Sequence, residues 1–148
     1  MKVRGQYTLA APQQRVWAAL LDPEVLARTL PGCESLEPAG PDEYRMKMKL
    51  AISSVQGFFD GKVRLEDQQP PSSYRLQVEG RGKVGFVNGG GALRLEPNPD
   101  NDGETVVHYE GDVKVGGLIA AVGQRLLDMT SKMMIKRFFT ALSAELNP

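Results

Sequence analysis

Across residues 33–115 the chain is written almost entirely in a two-residue period, and that alternation confines it to a sheet with one buried face. In Glu43–Ile52, the residues Tyr44, Met46, Met48, Leu50 and Ile52 alternate with Glu43, Arg45, Lys47, Lys49 and Ala51. Successive side chains of a strand point to opposite faces, so one face here is apolar and the other charged. Phe59, Gly61, Val63 and Leu65 repeat the pattern against Asp60, Lys62, Arg64 and Glu66, and Tyr74, Leu76 and Val78 repeat it against Arg75, Gln77 and Glu79. Leu93 and Leu95 continue it. The last run sets Val107, Tyr109, Gly111, Val113 and Val115 against His108, Glu110, Asp112 and Lys114. Turn-forming clusters at 38–41, 53–54, 70–73, 88–91 and 97–103 separate the runs, too short for crossovers, so the strands are antiparallel neighbours. Glycines 57, 61, 80, 82, 85 and 111 inside these runs mark the bulges and bends by which a sheet curls.

The flanking segments differ in period. Residues 3–9 alternate as a first strand. Ala11-Pro12 opens a helical stretch, and Asp22-Pro23 restarts it with an N-cap residue followed by proline at the first helical position, which predicts helices over 12–20 and 23–29. Leu30-Pro31-Gly32 ends the second. After Gly116-Gly117 the period changes to 3.6 and persists over 118–146, a helix long enough to cross a whole sheet. Ile119, Leu126, Leu127, Thr130, Met134, Phe138 and Ala141 form its main stripe, flanked by Leu118, Val122, Met129 and Met133. That arc is wider than one sheet can cover, so part of it is expected to meet something else. Strand, two short helices, about six further strands and a long C-terminal helix imply an α+β helix-grip, a curved antiparallel sheet of about seven strands closing on a helix, with 1–148 as one domain. Between sheet and helix such a shape leaves room for a ligand.

The residue inventory argues against chemistry. Cations and anions balance at 18 each, so no net field attracts nucleic acid. Cys33 and His108 are the single cysteine and histidine, which excludes an intramolecular disulfide and a thiolate–imidazole metal site and fits a reducing cytoplasm. By parity His108 lies outside with Glu110 and Asp112, and Cys33 reads as an inert thiol at a strand start. The inward face carries almost no acid or base. Aliphatic and methionine surface remains, with the hydroxyls of Tyr44, Tyr74, Tyr109 and Tyr7 as polar tips. The run 80–91, GRGKVGFVNGGG, lacks the Gly-Lys-Ser/Thr ending of a phosphate loop and reads as a glycine-rich hairpin at 88–91, with Gly85 and Phe86 in a gate over the cavity mouth.

Three segments carry a family resemblance: the opening APQQRVWAALLDPEVLARTLPGCESLE, the central GKVGFVNGGGALRL and the closing VGGLIAAVGQRLLDMTSKMMIKRFFTAL. Together they resemble the CoxG family of carbon monoxide dehydrogenase proteins, within the polyketide cyclase and START-like (Bet v 1-like) helix-grip superfamily. The resemblance implies a non-catalytic accessory protein of a carbon monoxide dehydrogenase-type molybdenum hydroxylase, cytoplasmic and peripheral at the inner membrane face. It implies a hydrophobic cavity for a lipid- or quinone-like molecule, with no cofactor required. Carried over by motif, Pro31, Gly32 and Cys33 form the turn after the second helix, and Gly116 and Gly117 enter the long helix, where Gly123, Arg125 and Leu126 are its signature. Pro31, Gly32, Gly116 and Gly117 therefore border the expected opening. Many members continue into a membrane-seeking tail, whereas this sequence ends at Asn147-Pro148, so no anchoring segment is expected here.

Inward parity and the surplus helix flank together place the cavity wall at Tyr44, Met46, Met48, Phe59, Val63, Leu76, Tyr109, Val113, Leu118, Val122, Met129 and Met133. An apolar binder is the reading these positions favour. Two others stay open at this level: an interaction or assembly module whose cavity its own side chains fill, and a cyclase- or hydrolase-like enzyme, which would need acids and bases that the inward face lacks.

Overall fold

The computed structural model describes residues 1–147. Strand β1 (Lys2–Leu9) is followed by α1 (Gln13–Leu20) and α2 (Pro23–Thr29), then by β2 (Cys33–Gly40), β3 (Glu43–Ile52), β4 (Val55–Gln69), β5 (Ser73–Gly82), β6 (Gly85–Asn98) and β7 (Asn101–Gly116). A short 3₁₀ turn at Ala120–Val122 leads into α3 (Gln124–Leu146). The strands form one antiparallel sheet in the order β1-β7-β6-β5-β4-β3-β2. The first strand thus pairs with the last, Val3 opposite Gly111 and Tyr7 opposite Val107.

Local chemistry explains the boundaries. The Asp22 carboxylate accepts a hydrogen bond from the Glu24 backbone N–H at 2.9 Å, and Pro23 occupies the first helical position. The β2–β3 and β3–β4 hairpins turn on Asp42 and Ser53, both at positive φ (58° and 57°). Alternation holds through the sheet: Tyr44, Val63 and Leu65 face the same side as Leu76, Leu93, Leu95 and Val107. That side carries the main core, in which Leu9, Val16, Trp17, Leu20, Tyr74 and Leu95 meet Phe139, Leu142 and Leu146 of α3. A second, smaller cluster of Ile52, Phe59, Ile119 and Leu127 closes the other end.

Two sequence expectations change. The glycines at 88–91 are not a turn: Gly89, Gly90 and Gly91 lie in the middle of β6, and the hairpin turns at Lys83-Val84 instead. A Cβ at Gly91 would stand 2.5 Å from the Glu110 carbonyl oxygen, and one at Gly89 2.7 Å from that of Asp112, so glycine is used here for close approach of β6 to β7. The long helix is also shorter and rotated. Gly123, at φ 98°, breaks the chain before Gln124, which delays helix entry by six residues relative to the sequence reading. The buried side of α3 then runs through Leu127, Phe139, Leu142 and Leu146, about a quarter turn from the expected stripe. Leu126, expected in the core, is 38% exposed.

Candidate functional site

An apolar cavity of about 350 Å³ lies between the middle of the sheet and α3. Its floor comprises Leu76 and Val78 of β5, Val87, Gly89, Gly91 and Leu93 of β6, and Tyr109, Gly111 and Val113 of β7. Its roof comprises Met134, Ile135, Phe138 and Phe139 of α3. Met48 and the Leu30-Pro31 turn close one side and Val3 of β1 the other. The floor is deep because three glycines on adjacent strands coincide: Gly91 pairs with Gly111 and Gly89 with Val113, opposite Leu76 and Val78. No side chain rises from the floor at the glycines, so the space beneath α3 stays unfilled.

The expected wall is only partly the observed one. Met48, Leu76, Tyr109 and Val113 line the cavity, with Pro31 at its edge. Tyr44 and Val63 pack instead against the main core, and Phe59 is buried in the second cluster, against which Val122 packs. Met46 is half-buried over Gly61, its Cγ 3.0 Å from where a Cβ would stand. Leu118 and Met129 are 61% and 59% exposed, outside the cavity, and Met133 is 42% exposed in a groove beside it. The reason is the rotation of α3: its surplus apolar flank turns to solvent, while Ile135 and Phe139, absent from the expected stripe, turn to the sheet. Phe86, Gly85, Gly116 and Gly117 do not reach the cavity. The Phe86 ring lies across Gly116, and Gly117, at φ 81°, stacks on Gly85 at the β7 exit. Gly32, at φ 77°, sits against the Lys49 carbonyl in the groove with Met133.

The expected polar tips also separate. The Tyr44 hydroxyl donates to the Leu21 carbonyl at 3.3 Å, and Tyr74 is buried against Trp17, which pushes its hydroxyl pKa far up by desolvation. Tyr7 stacks on Phe139 with ring centroids 5.0 Å apart. Tyr109 alone of the four lines the cavity. Its ring also stacks on Phe139, at 5.7 Å, and its hydroxyl occupies the space that a Cβ on Gly5 would need. The residue that sequence reasoning missed is therefore Gly5, whose bare backbone lets Tyr109 reach the β1 edge; an isolated glycine in a strand was the available signal.

Among the described residues no carboxylate, amine or imidazole projects into the cavity, since Glu110, where it borders the space, has outward parity and is exposed. A larger depression of about 770 Å³ lies on the sheet's other face among Arg4, Gln6, Arg75, Arg94 and His108. It is solvated and charged, so the smaller apolar space is the better candidate for a ligand. There His108 Nε2 lies 2.7 Å from Glu96, and that hydrogen bond, with Arg94, holds the Glu96 carboxyl below its ordinary range. Among the described residues no group of three His, Cys, Asp or Glu side chains is placed to hold a metal, and no helix is long and apolar enough to cross a membrane.

Comparison with known proteins bears on family and fold. The family model for CoxG, a subunit of carbon monoxide dehydrogenase, matches residues 5–147. A search of curated proteins gives no significant match. Among solved structures, a conserved protein from Geobacillus kaustophilus is 36% identical, with 99% of this chain and 95% of that one covered and a TM-score of 0.92. A START superfamily protein from Mycobacterium smegmatis has a TM-score of 0.73 at 12% identity, covering 98% and 96%. The Zhui aromatase/cyclase from Streptomyces sp. R1128 has a TM-score of 0.69 at 15% identity, covering 99% and 93%. At those identities the last two similarities concern the fold alone.

Proposed function

The chain belongs to the carbon monoxide dehydrogenase CoxG family, and from that premise we propose that it is a non-catalytic carrier of an apolar, lipid- or quinone-like molecule, acting as an accessory to a molybdenum hydroxylase of that type. The observation that carries the reading is the unfilled apolar cavity between sheet and helix. Burial of carbon surface supplies affinity there, at roughly 25 cal/mol per Å². Its volume of about 350 Å³ is at the small end for a drug-sized ligand, so a long-chain molecule protrudes.

The exposed flank of α3 supports peripheral membrane contact as the route of loading. Leu126, Met129 and Met133 form an apolar stripe on α3, and Arg125, Lys132 and Lys136 lie on the same exposed side. Such a combination favours the surface of an anionic bilayer. An assembly module would be expected to fill the space with its own side chains, and a cyclase or hydrolase to place acids and bases around it.

Native mass spectrometry of protein purified from its own host, followed by organic extraction, tests the reading. A stoichiometric apolar adduct that is lost when Val113→Phe fills the floor is the expected result. Protein that carries no adduct and takes up neither fatty acid nor short-chain quinone in titration would overturn it.

A further inference from the structure

Two unlike depressions border the cavity. Toward β1, a cleft of about 290 Å³ between that strand and α3 is lined by Lys2, Arg4, Asp128, Ser131 and Lys132. Toward α2, a groove of about 250 Å³ is lined by Pro31, Leu50, Met133 and Met134 together with Glu34, Lys49 and Arg137. Tyr109 and Ile135 belong to both the cavity and the β1–α3 cleft, and Pro31 and Met134 to both the cavity and the α2-side groove. The apolar space therefore shares walls with a cleft of three cations and one carboxylate and with a groove in which carbon surface is the larger part.

The donor-rich end has hydrogen-bonding capacity left over. The Tyr109 hydroxyl makes no hydrogen bond within the described residues, and its oxygen keeps some solvent access. Lys2, Arg4 and Lys132 make no ion pair within 4.0 Å among the described residues. Asp128, the one carboxylate in the cleft, already accepts from the Gln124 amide at 2.8 Å. Lys2 and Arg4 share the outer side of the β1 edge with their cross-strand partners Asp112, which lies 3.5 Å from the N-terminal ammonium, and Glu110, so Lys132 is the cation on the helix side of the cleft. The cleft thus holds three cations against one carboxylate.

We infer that the cavity takes a single-chain amphiphile in one orientation, its anionic head accepting from Tyr109 and the cations of the β1–α3 cleft and its chain leaving past Pro31 and Met133. This inference rests on the carrier reading above and narrows it to a ligand class. It also separates the roles of the two ends: the head is recognised by hydrogen bonds, while the chain is held only by contact area and can vary in length.

Binding of dodecanoate and dodecanol to the delipidated full chain, read by displacement of a fluorescent fatty acid below micellar concentrations, tests it. The two ligands share a chain and differ in the head. The carboxylate is expected to bind about tenfold more tightly or better, as one charge-assisted hydrogen bond requires. Tyr109→Phe, which keeps the ring on Phe139, and Lys132→Gln, on the exposed helix surface, should each shrink that ratio, the loss falling more heavily on dodecanoate than on dodecanol. A dodecanoate carrying a bulky group at its far end should bind as well as the plain acid, and the methyl ester should not. Equal affinities for acid and alcohol, or a preference that survives both substitutions, would overturn the orientation and leave the carrier reading standing. Failure of both ligands to bind would instead overturn the carrier reading, and this inference with it.

Discussion

Phe138 and Phe139 are adjacent on α3, touch each other at 5.1 Å between ring centroids, and should respond very differently to truncation. Phe139 is 3% exposed and stacks with both Tyr7 and Tyr109. Its replacement by Ala removes a fully enclosed ring, which costs about 3–5 kcal/mol, and the two stacked partners place it toward the upper end. Phe138 is half-buried and one side of it faces the cavity, so truncation enlarges a void that already exists. With fewer contacts to lose, Phe138→Ala should cost about 1–2 kcal/mol. For a chain of this size each kcal/mol moves Tm by about 2–4 °C, which separates the variants clearly. Urea titration of ligand-free protein with an unchanged m value is the assay. In the presence of dodecanoate at one hundred times its Kd the wild type should gain about 2.7 kcal/mol. Phe138→Ala should gain about 1 kcal/mol less, since roughly 40 Å² of wall contact at 25 cal/mol per Å² has gone. Equal destabilisation of the two empty variants would refute the reasoning, because Phe138 would then be packed on every side.

Three further outcomes follow from named contacts. Gly91→Ala should destabilise by about 1–3 kcal/mol because its methyl meets the Glu110 carbonyl, whereas at Gly80 the nearest atoms stand at 3.7 and 4.0 Å and Ala should be neutral or stabilising by up to about 1 kcal/mol; thermal melts compare them. The Glu96 carboxyl titrates below its ordinary range in the folded protein, so its contribution is complete above that range and disappears as pH falls through the lowered value; Glu96→Gln should flatten the acid limb of a stability–pH curve by removing a small stabilisation at neutral pH while leaving low-pH stability nearly unchanged. Burial pushes the Cys33 thiol up, so alkylation at pH 7 should be slower than for a free cysteine, and Cys33→Ser and His108→Ala should leave ligand affinity within experimental error of wild type.

The sequence by itself determined the sheet. A period of two flips every side chain on a one-residue slip, so runs such as Glu43–Ile52 and Asn101–Gly116 admit one register and one inner face, and the structure keeps it. Asp22-Pro23 and Leu30-Pro31-Gly32 bounded α2 for equally local reasons. The sequence could not determine the roll of α3. Leu126, Met129, Met133, Met134, Ile135, Phe138 and Phe139 occupy most of the helix circumference, and with apolar residues on nearly every side the hydrophobic period has no unique phase. Contacts made elsewhere chose it: Tyr7 and Tyr109 clasp Phe139, and Arg15 donates to the Leu146 carbonyl at 2.7 Å. The cavity was legible as a kind of place, apolar and free of acid and base, because parity sorts composition onto faces. Its position was not, because it depends on Gly89, Gly91, Gly111 and Gly5 meeting across three strands, and coincidence between strands is fixed by pairing register and tertiary packing rather than by any local pattern.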